Sequence, residues 1–167
     1  RSAPPGSGAD YVAEVDFAGG SVRLRDVFVG LTALPGVRQV RVGYFREPFS
    51  LEAQTSTNVT TFVERGLPEA FDPGRNWGIG SFNVNEEESA TWAYGMFQSG
   101  SDDIGADIGD ESEVSFTGRA TWLSYYDEAS DGAAFTHWGL SGSYRYADED
   151  RARFLARPEV RMGASLE

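Results

Sequence analysis

The densest group of side chains with a capacity for chemistry is the run Asp102, Asp103, Asp107, Asp110, Glu111 and Glu113. Closely spaced carboxylates suit a hard cation such as Ca²⁺. The run lacks the D-x-D-x-D-G pattern closed by a glutamate, so the expectation is a solvated acidic loop and no metal site is assigned. Acid pairs are numerous elsewhere, but no spacing singles out an acid and a base for glycoside hydrolysis. The absence of cysteine removes disulfides, thiolate metal sites and a cysteine nucleophile, and the single histidine, His137, cannot make a His-rich centre. His137 beside Trp138 reads as an ordinary strand residue. No catalytic group and no cofactor are expected, and the chain does not read as an enzyme. Its charged chemistry is otherwise arginine: all 14 basic residues are of that type, against 26 acidic ones, for a net charge of -12. That balance argues against a nucleic-acid partner.

The elements that must position these groups are strands. With 20 glycines and 13% aromatic residues in 167, the composition favours short strands joined by turns, and the length suits one domain, residues 1–167. From Asp10 to Phe17, Tyr11, Ala13, Val15 and Phe17 share a face opposite Glu14 and Asp16. Val22 to Leu31 is apolar, but Arg23, Arg25 and Asp26 disturb its period and suggest a bulge. After the turn Leu34-Pro35-Gly36, the segment Val37 to Arg46 sets Val40, Val42 and Tyr44 against Gln39, Arg41 and Gly43. Strands are also expected over Arg75 to Asn85, Thr91 to Gln98, Phe116 to Tyr126, Thr136 to Tyr146 and Arg151 to Val160. In the strand from Phe116 to Tyr126, Ala120, Trp122 and Tyr126 oppose Arg119, Thr121 and Tyr125. Pro48 to Gly74 interrupts the rhythm; its centre, Asn58 to Arg65, predicts one or two helical turns capped by Asn58.

Alternation suits a soluble sandwich as well as a membrane barrel. No apolar run approaches the ~20 residues of a membrane helix, but strands can span with one apolar face. The placement of aromatics favours a barrel: Tyr94, Trp138, Leu140 and Tyr144 alternate with Gly95, Gly139, Ser141 and Ser143. A sandwich would load its inner face with branched aliphatics. Trp92, Trp122 and Trp138 read as interface anchors, or as stacking surfaces for sugar if the chain is a secreted β-sandwich binding module. The length supplies about eight spanning strands, which describes either a small closed eight-stranded barrel with a structural role or part of a larger one.

Specific motifs point to the larger barrel. The stretches Phe28-Val29-Gly30-Leu31-Thr32, Gly43-Tyr44-Phe45-Arg46-Glu47-Pro48-Phe49-Ser50-Leu51-Glu52, Phe62-Val63-Glu64-Arg65-Gly66-Leu67-Pro68 and Pro73-Gly74-Arg75-Asn76-Trp77-Gly78 resemble, in letters and order, the phosphate-selective porin O and P family of bacterial outer membranes. The likeness is specific from about Phe28 to Gly80 and continues at Arg157-Pro158-Glu159. It implies an all-β, antiparallel up-and-down transmembrane barrel of about sixteen strands, of which this chain would be a segment of about eight. The start at Arg1 without a leader and the end at Glu167 within a strand pattern fit that expectation. It also implies an inward-folded constriction loop over residues 47–74, outer-membrane lipid as surroundings, small anions such as phosphate as permeants, and a homotrimer as the assembly.

On this resemblance the arginines acquire roles. A guanidinium donates two parallel hydrogen bonds to an oxyanion and never loses its charge. Arg41 would face the lumen, Arg46 would stand where the strand enters the loop, Arg65 in the loop core and Arg75 at its exit. Arg119 and Arg145 fall on the polar faces of later strands. Arg46 with Glu47, and Glu64 with Arg65, also suit local pairing that holds the loop to the wall. The acidic surplus falls mainly in expected turns, at Glu86 to Glu88, Asp102 to Glu113, Asp127 to Asp131 and Asp148 to Asp150, away from the lumen.

Overall fold

A computed structural model describes residues 8–17, 22–34, 37–55, 66, 68, 71–99, 113–130 and 132–146, and the structural statements below concern these residues. Seven strands form one antiparallel sheet: β1 (Ala9–Asp16), β2 (Arg23–Leu34), β3 (Val37–Arg46), β4 (Arg75–Val84), β5 (Ala90–Ser99), β6 (Glu113–Tyr126) and β7 (Phe135–Arg145). Their order in the sheet is their order in the chain, and each pairs antiparallel with the next, the meander of an up-and-down barrel wall. The expected strand at Arg151 to Val160, the acidic run from Asp102 and the helical turns at Asn58 to Arg65 lie outside the described residues.

The side-chain period of two gives this sheet its two faces. One carries Tyr11, Val29, Leu31, Val42, Ile79, Tyr94, Met96, Phe116, Trp122, Trp138, Leu140 and Tyr144, all of them exposed, with Leu140 at 73%. Tyr44 shares that parity but is buried, its ring 5.6 Å from that of Trp77. No second sheet covers this apolar face among the described residues, so the sandwich alternative, with its dry inter-sheet core, does not form. Nor do the described strands close on themselves, since β1 and β7 have one neighbour each, and the small eight-stranded barrel is not formed by them.

The packed core instead lies on the other face. Phe45 sits at its centre, with ring centroids of Phe28, Phe82 and Phe97 at 5.9, 5.9 and 5.4 Å, all edge-on. Edge-to-face geometry sets the positive rim of one ring against the negative face of the next. Glycines make room for it: a Cβ on Gly78 would come within 2.5 Å of the Phe97 ring, and one on Gly95 within 2.8 Å. Gly43, with φ at +144°, lies opposite Phe28 in the β2–β3 register, where a side chain would be strained and would strike the Phe28 backbone.

Two irregularities adjust the register. Ala13 and Val15 pair with Val27 and Leu24, so Arg25 and Asp26 together oppose one residue of β1, the bulge that the disturbed period of β2 suggests. A second bulge was not expected. Leu123 pairs with His137 but Tyr125 with Thr136, leaving Ser124 as the extra residue. It shifts the face of everything after it, so Tyr125 stands across from Thr136 on the Trp138 side and not with Arg119 and Thr121. Trp138 holds the kink by donating its indole N–H to the Ser124 hydroxyl at 3.1 Å.

Because Phe45 contacts three rings and is only 1% exposed, Phe45→Ala is expected to lower the unfolding free energy by about 3–5 kcal/mol. Denaturant titration of the protein refolded in detergent checks this; a loss below about 1 kcal/mol would place the ring cluster outside the packed structure.

Candidate pore-lining site

The inner face changes character along the chain. From β1 to β5 it is aromatic and glycine-rich, and on β6 and β7 it becomes hydroxylic, with Ser115, Thr117, Thr121, Ser141 and Ser143. The described start of the connection between β3 and β4, residues 47–55, packs onto it. Its first residue is Glu47, whose amide donates to the Gly74 carbonyl at 3.0 Å and so draws the two ends of the connection together. Pro48 follows, and then a one-turn helix, α1 (Leu51–Gln54), begins at Ser50, whose hydroxyl accepts from the Ala53 amide at 3.1 Å. Gln54 turns back to donate to the Glu47 carbonyl at 2.6 Å, and Glu52 accepts from the Gly66 amide at 3.3 Å.

Glu47 has no exposed surface, and its carboxylate collects donors from three strands. Asn76 on β4 donates from Nδ2 at 2.7 Å, Arg145 on β7 from Nη2 at 2.8 Å, and Ser115 on β6 at 3.4 Å. The Thr117 hydroxyl donates to the other carboxylate oxygen. A buried carboxylate is tolerated only when paired and hydrogen-bonded in this way. The sequence pattern offered Arg46 as the local partner of Glu47, but neighbours on an extended chain point to opposite sides. Arg46 instead pairs with Asp72 at 3.0 Å, near the far end of the connection.

The candidate arginines separate by what surrounds them. Arg46 and Arg75 face each other across the β3–β4 ladder, a like-charge contact offset by Asp72 for the first and by Asp26 for the second, at 3.2 Å. Arg145 is bound to Glu47. Arg41 lies on the inner face, as parity indicated, with its guanidinium 4.1 Å from the Phe82 ring centroid and 4.9 Å from that of Phe28. It donates to Gln39 at 2.7 Å, and Gln39 donates in turn to both Asp10 oxygens. Gly30, opposite both Asp10 and Arg41, keeps this bridge open, since a Cβ there would lie 1.9 Å from the Asp10 carboxylate. Arg65 lies outside the described residues.

Arg119 differs from the rest. Its cross-strand neighbours are the small Ala93 and Ser141, and no carboxylate pairs with it among the described residues. It lines a cavity of about 220 Å³ beneath the connection, together with Pro48, Gln54, Phe82, Thr91 and Ala93. No cluster of His, Cys, Asp or Glu suited to a metal ion occurs among the described residues.

A single sheet with an apolar exterior, a polar and cationic interior and a connection folded onto that interior is the wall of a β-barrel porin. The chain belongs to the phosphate-selective porin O and P family, whose model matches residues 6–163. This is a family of outer-membrane channels and not of enzymes. No curated protein and no solved structure matches the chain.

Removing the Glu47 carboxylate takes a shared acceptor from one guanidinium, one amide and two hydroxyls at once. Glu47→Ala is therefore expected to cost about 3–5 kcal/mol of stability. Glu86→Ala, in an exposed turn, should cost less than about 0.5 kcal/mol. Parallel denaturation in detergent tests the contrast, and equal losses would contradict it.

Proposed function

We propose that the protein forms a passive diffusion channel in the bacterial outer membrane through which small anions such as phosphate or pyrophosphate pass, with residues 47–74 as the constriction. The single observation that carries this reading is Arg119: a guanidinium on the inner face, without a carboxylate partner among the described residues, beside the cavity under the β3–β4 connection. A charge placed there offers two parallel donors to an oxyanion while neighbouring hydroxyls replace part of its hydration. Arg41 is the second cation of the path. Its charge is fixed over two aromatic rings and shared through Gln39 with Asp10, so its pull is weaker. Arg46 and Arg75 hold the ends of the constriction and contribute little net field, each being paired with an aspartate.

The same reading orients the chain. The connections at 35–36, 85–89 and 127–134 share one end of the sheet, and those at 17–22, 47–74 and 100–112 the other. Short turns face the periplasm and long loops the exterior in outer-membrane barrels. Trp92, Trp122, Tyr125 and Trp138 gather near the short-turn end, with Trp122 and Trp138 stacked at 6.2 Å, and make an interfacial belt there. The homotrimer implied by the family likeness completes the proposal.

Single-channel recording under a KCl gradient tests the anion path. Arg119→Ala is expected to lower the anion-to-cation permeability ratio at least about twofold, the effect of one charge acting through water over roughly 8 Å. Arg46→Ala, which removes a charge on the opposite parity from the inner face, should change it less. An unchanged ratio in Arg119→Ala would sink the assignment.

A further inference from the structure

Arg145 and Glu47 are unequal partners: the Arg145 side chain keeps 36% of its surface exposed, while the Glu47 carboxylate 2.8 Å away has none. The cation reaches the open side of the inner face, and the anion that cancels it is sealed behind it. Their described neighbours on the wall are hydroxylic, with Ser115 opposite Arg145 in the β6–β7 register and Thr117 hydrogen-bonded to Ser143 at 2.8 Å. An ion passing this part of the wall meets a guanidinium whose field is largely neutralised at the distance of a direct hydrogen bond.

We infer that Glu47 is a specificity-determining residue: by masking Arg145 it sets the charge of this stretch of wall near zero and leaves the field to Arg119, which has no carboxylate partner among the described residues. The inference rests on the reading of the inner face as a lumen. It assigns to one carboxylate two coupled tasks, seating the β3–β4 connection and limiting how strongly the wall attracts anions. A stronger field would raise occupancy but slow release, since conduction needs binding weak enough to leave.

Glutamine separates the two tasks. In Glu47→Gln the amide oxygen can still accept from Asn76 and Arg145, and its NH₂ can donate to the Thr117 hydroxyl, so the seat is kept while the negative charge is lost. Reversal potentials in a KCl gradient are to be measured for the full-length protein in planar bilayers, for Glu47→Gln, Arg145→Gln and the double variant. Expected are a rise in the chloride-to-potassium ratio of at least about twofold for Glu47→Gln, a fall for Arg145→Gln, and a return to the starting ratio in the double variant. No shift in Glu47→Gln, or a double variant that keeps the raised ratio of Glu47→Gln alone, would overturn the inference. Should Glu47→Gln yield no heat-modifiable folded band, Arg145→Gln carries the test: a move toward potassium supports masking, and an unchanged ratio refutes it. Arg119→Ala, recorded alongside, keeps the two readings apart. If it alone shifts selectivity, the masking role fails and the anion path stands; if only Glu47 and Arg145 matter, the reverse holds.

Discussion

One sheet must meet two solvents. The seven described strands make a single layer whose side chains alternate between a surface of Val, Leu, Trp, Tyr and Phe and a surface of glycine, hydroxyls and arginine. In water the first surface would require a second layer to cover it, and none is present among the described residues. Hydrocarbon removes the requirement, because lipid tails cover the apolar side chains while the interstrand ladder satisfies the backbone. The unusual position of the core follows from this constraint. With the apolar side chains turned to lipid, the ring core packs on the inner face, where Phe28, Phe45, Phe82 and Phe97 interlock over glycines.

That inner-face packing supports the candidate pore lining. The ring cluster occupies β2 to β5, and Arg41 rests on two of its members. Beyond it, on β6 and β7, hydroxyls replace rings, and Glu47 reaches across to them. The carboxylate therefore joins the aromatic half of the wall to the hydroxylic half and holds the β3–β4 connection against both. Each positive charge near this junction is then defined by its neighbours. Asp72, Asp26 and Glu47 neutralise three arginines, aromatic rings hold a fourth, and Arg119 lines the cavity with the small Ala93 and Ser141 as its cross-strand neighbours.

Much of the fold was legible in the sequence because its cause is local. A period of two is written residue by residue, and the strand at Val37 to Arg46 coincides with β3, while the other expected strands that fall on described residues agree within a few positions at their ends. The face assignments of Phe82, Arg119 and Trp138 followed from the same parity. The bulge at Ser124 was not legible, since nothing in Leu123-Ser124-Tyr125 marks an inserted residue until Trp138 is brought opposite. The one-turn helix after Ser50 was also missed, although its capping serine was in view. The role of Glu47 could not be read at all: its ion-pair partner, Arg145, is 98 positions away, and sequence adjacency pointed to Arg46 instead. Parity at the strand exit was the available signal, because it sends Glu47 to the inner face and Arg46 away from it.

The central claim, that the two faces lie in different solvents, is tested most directly by thiol accessibility, for which the absence of native cysteine is convenient. Single cysteines at Ser141, Ser143, Leu140 and Tyr144 on β7 would be exposed to a charged, membrane-impermeant methanethiosulfonate in reconstituted vesicles. Rapid labelling of Ser141→Cys and Ser143→Cys with protection of Leu140→Cys and Tyr144→Cys is the predicted result. Equal labelling at all four positions, or protection at the serines alone, would contradict the account.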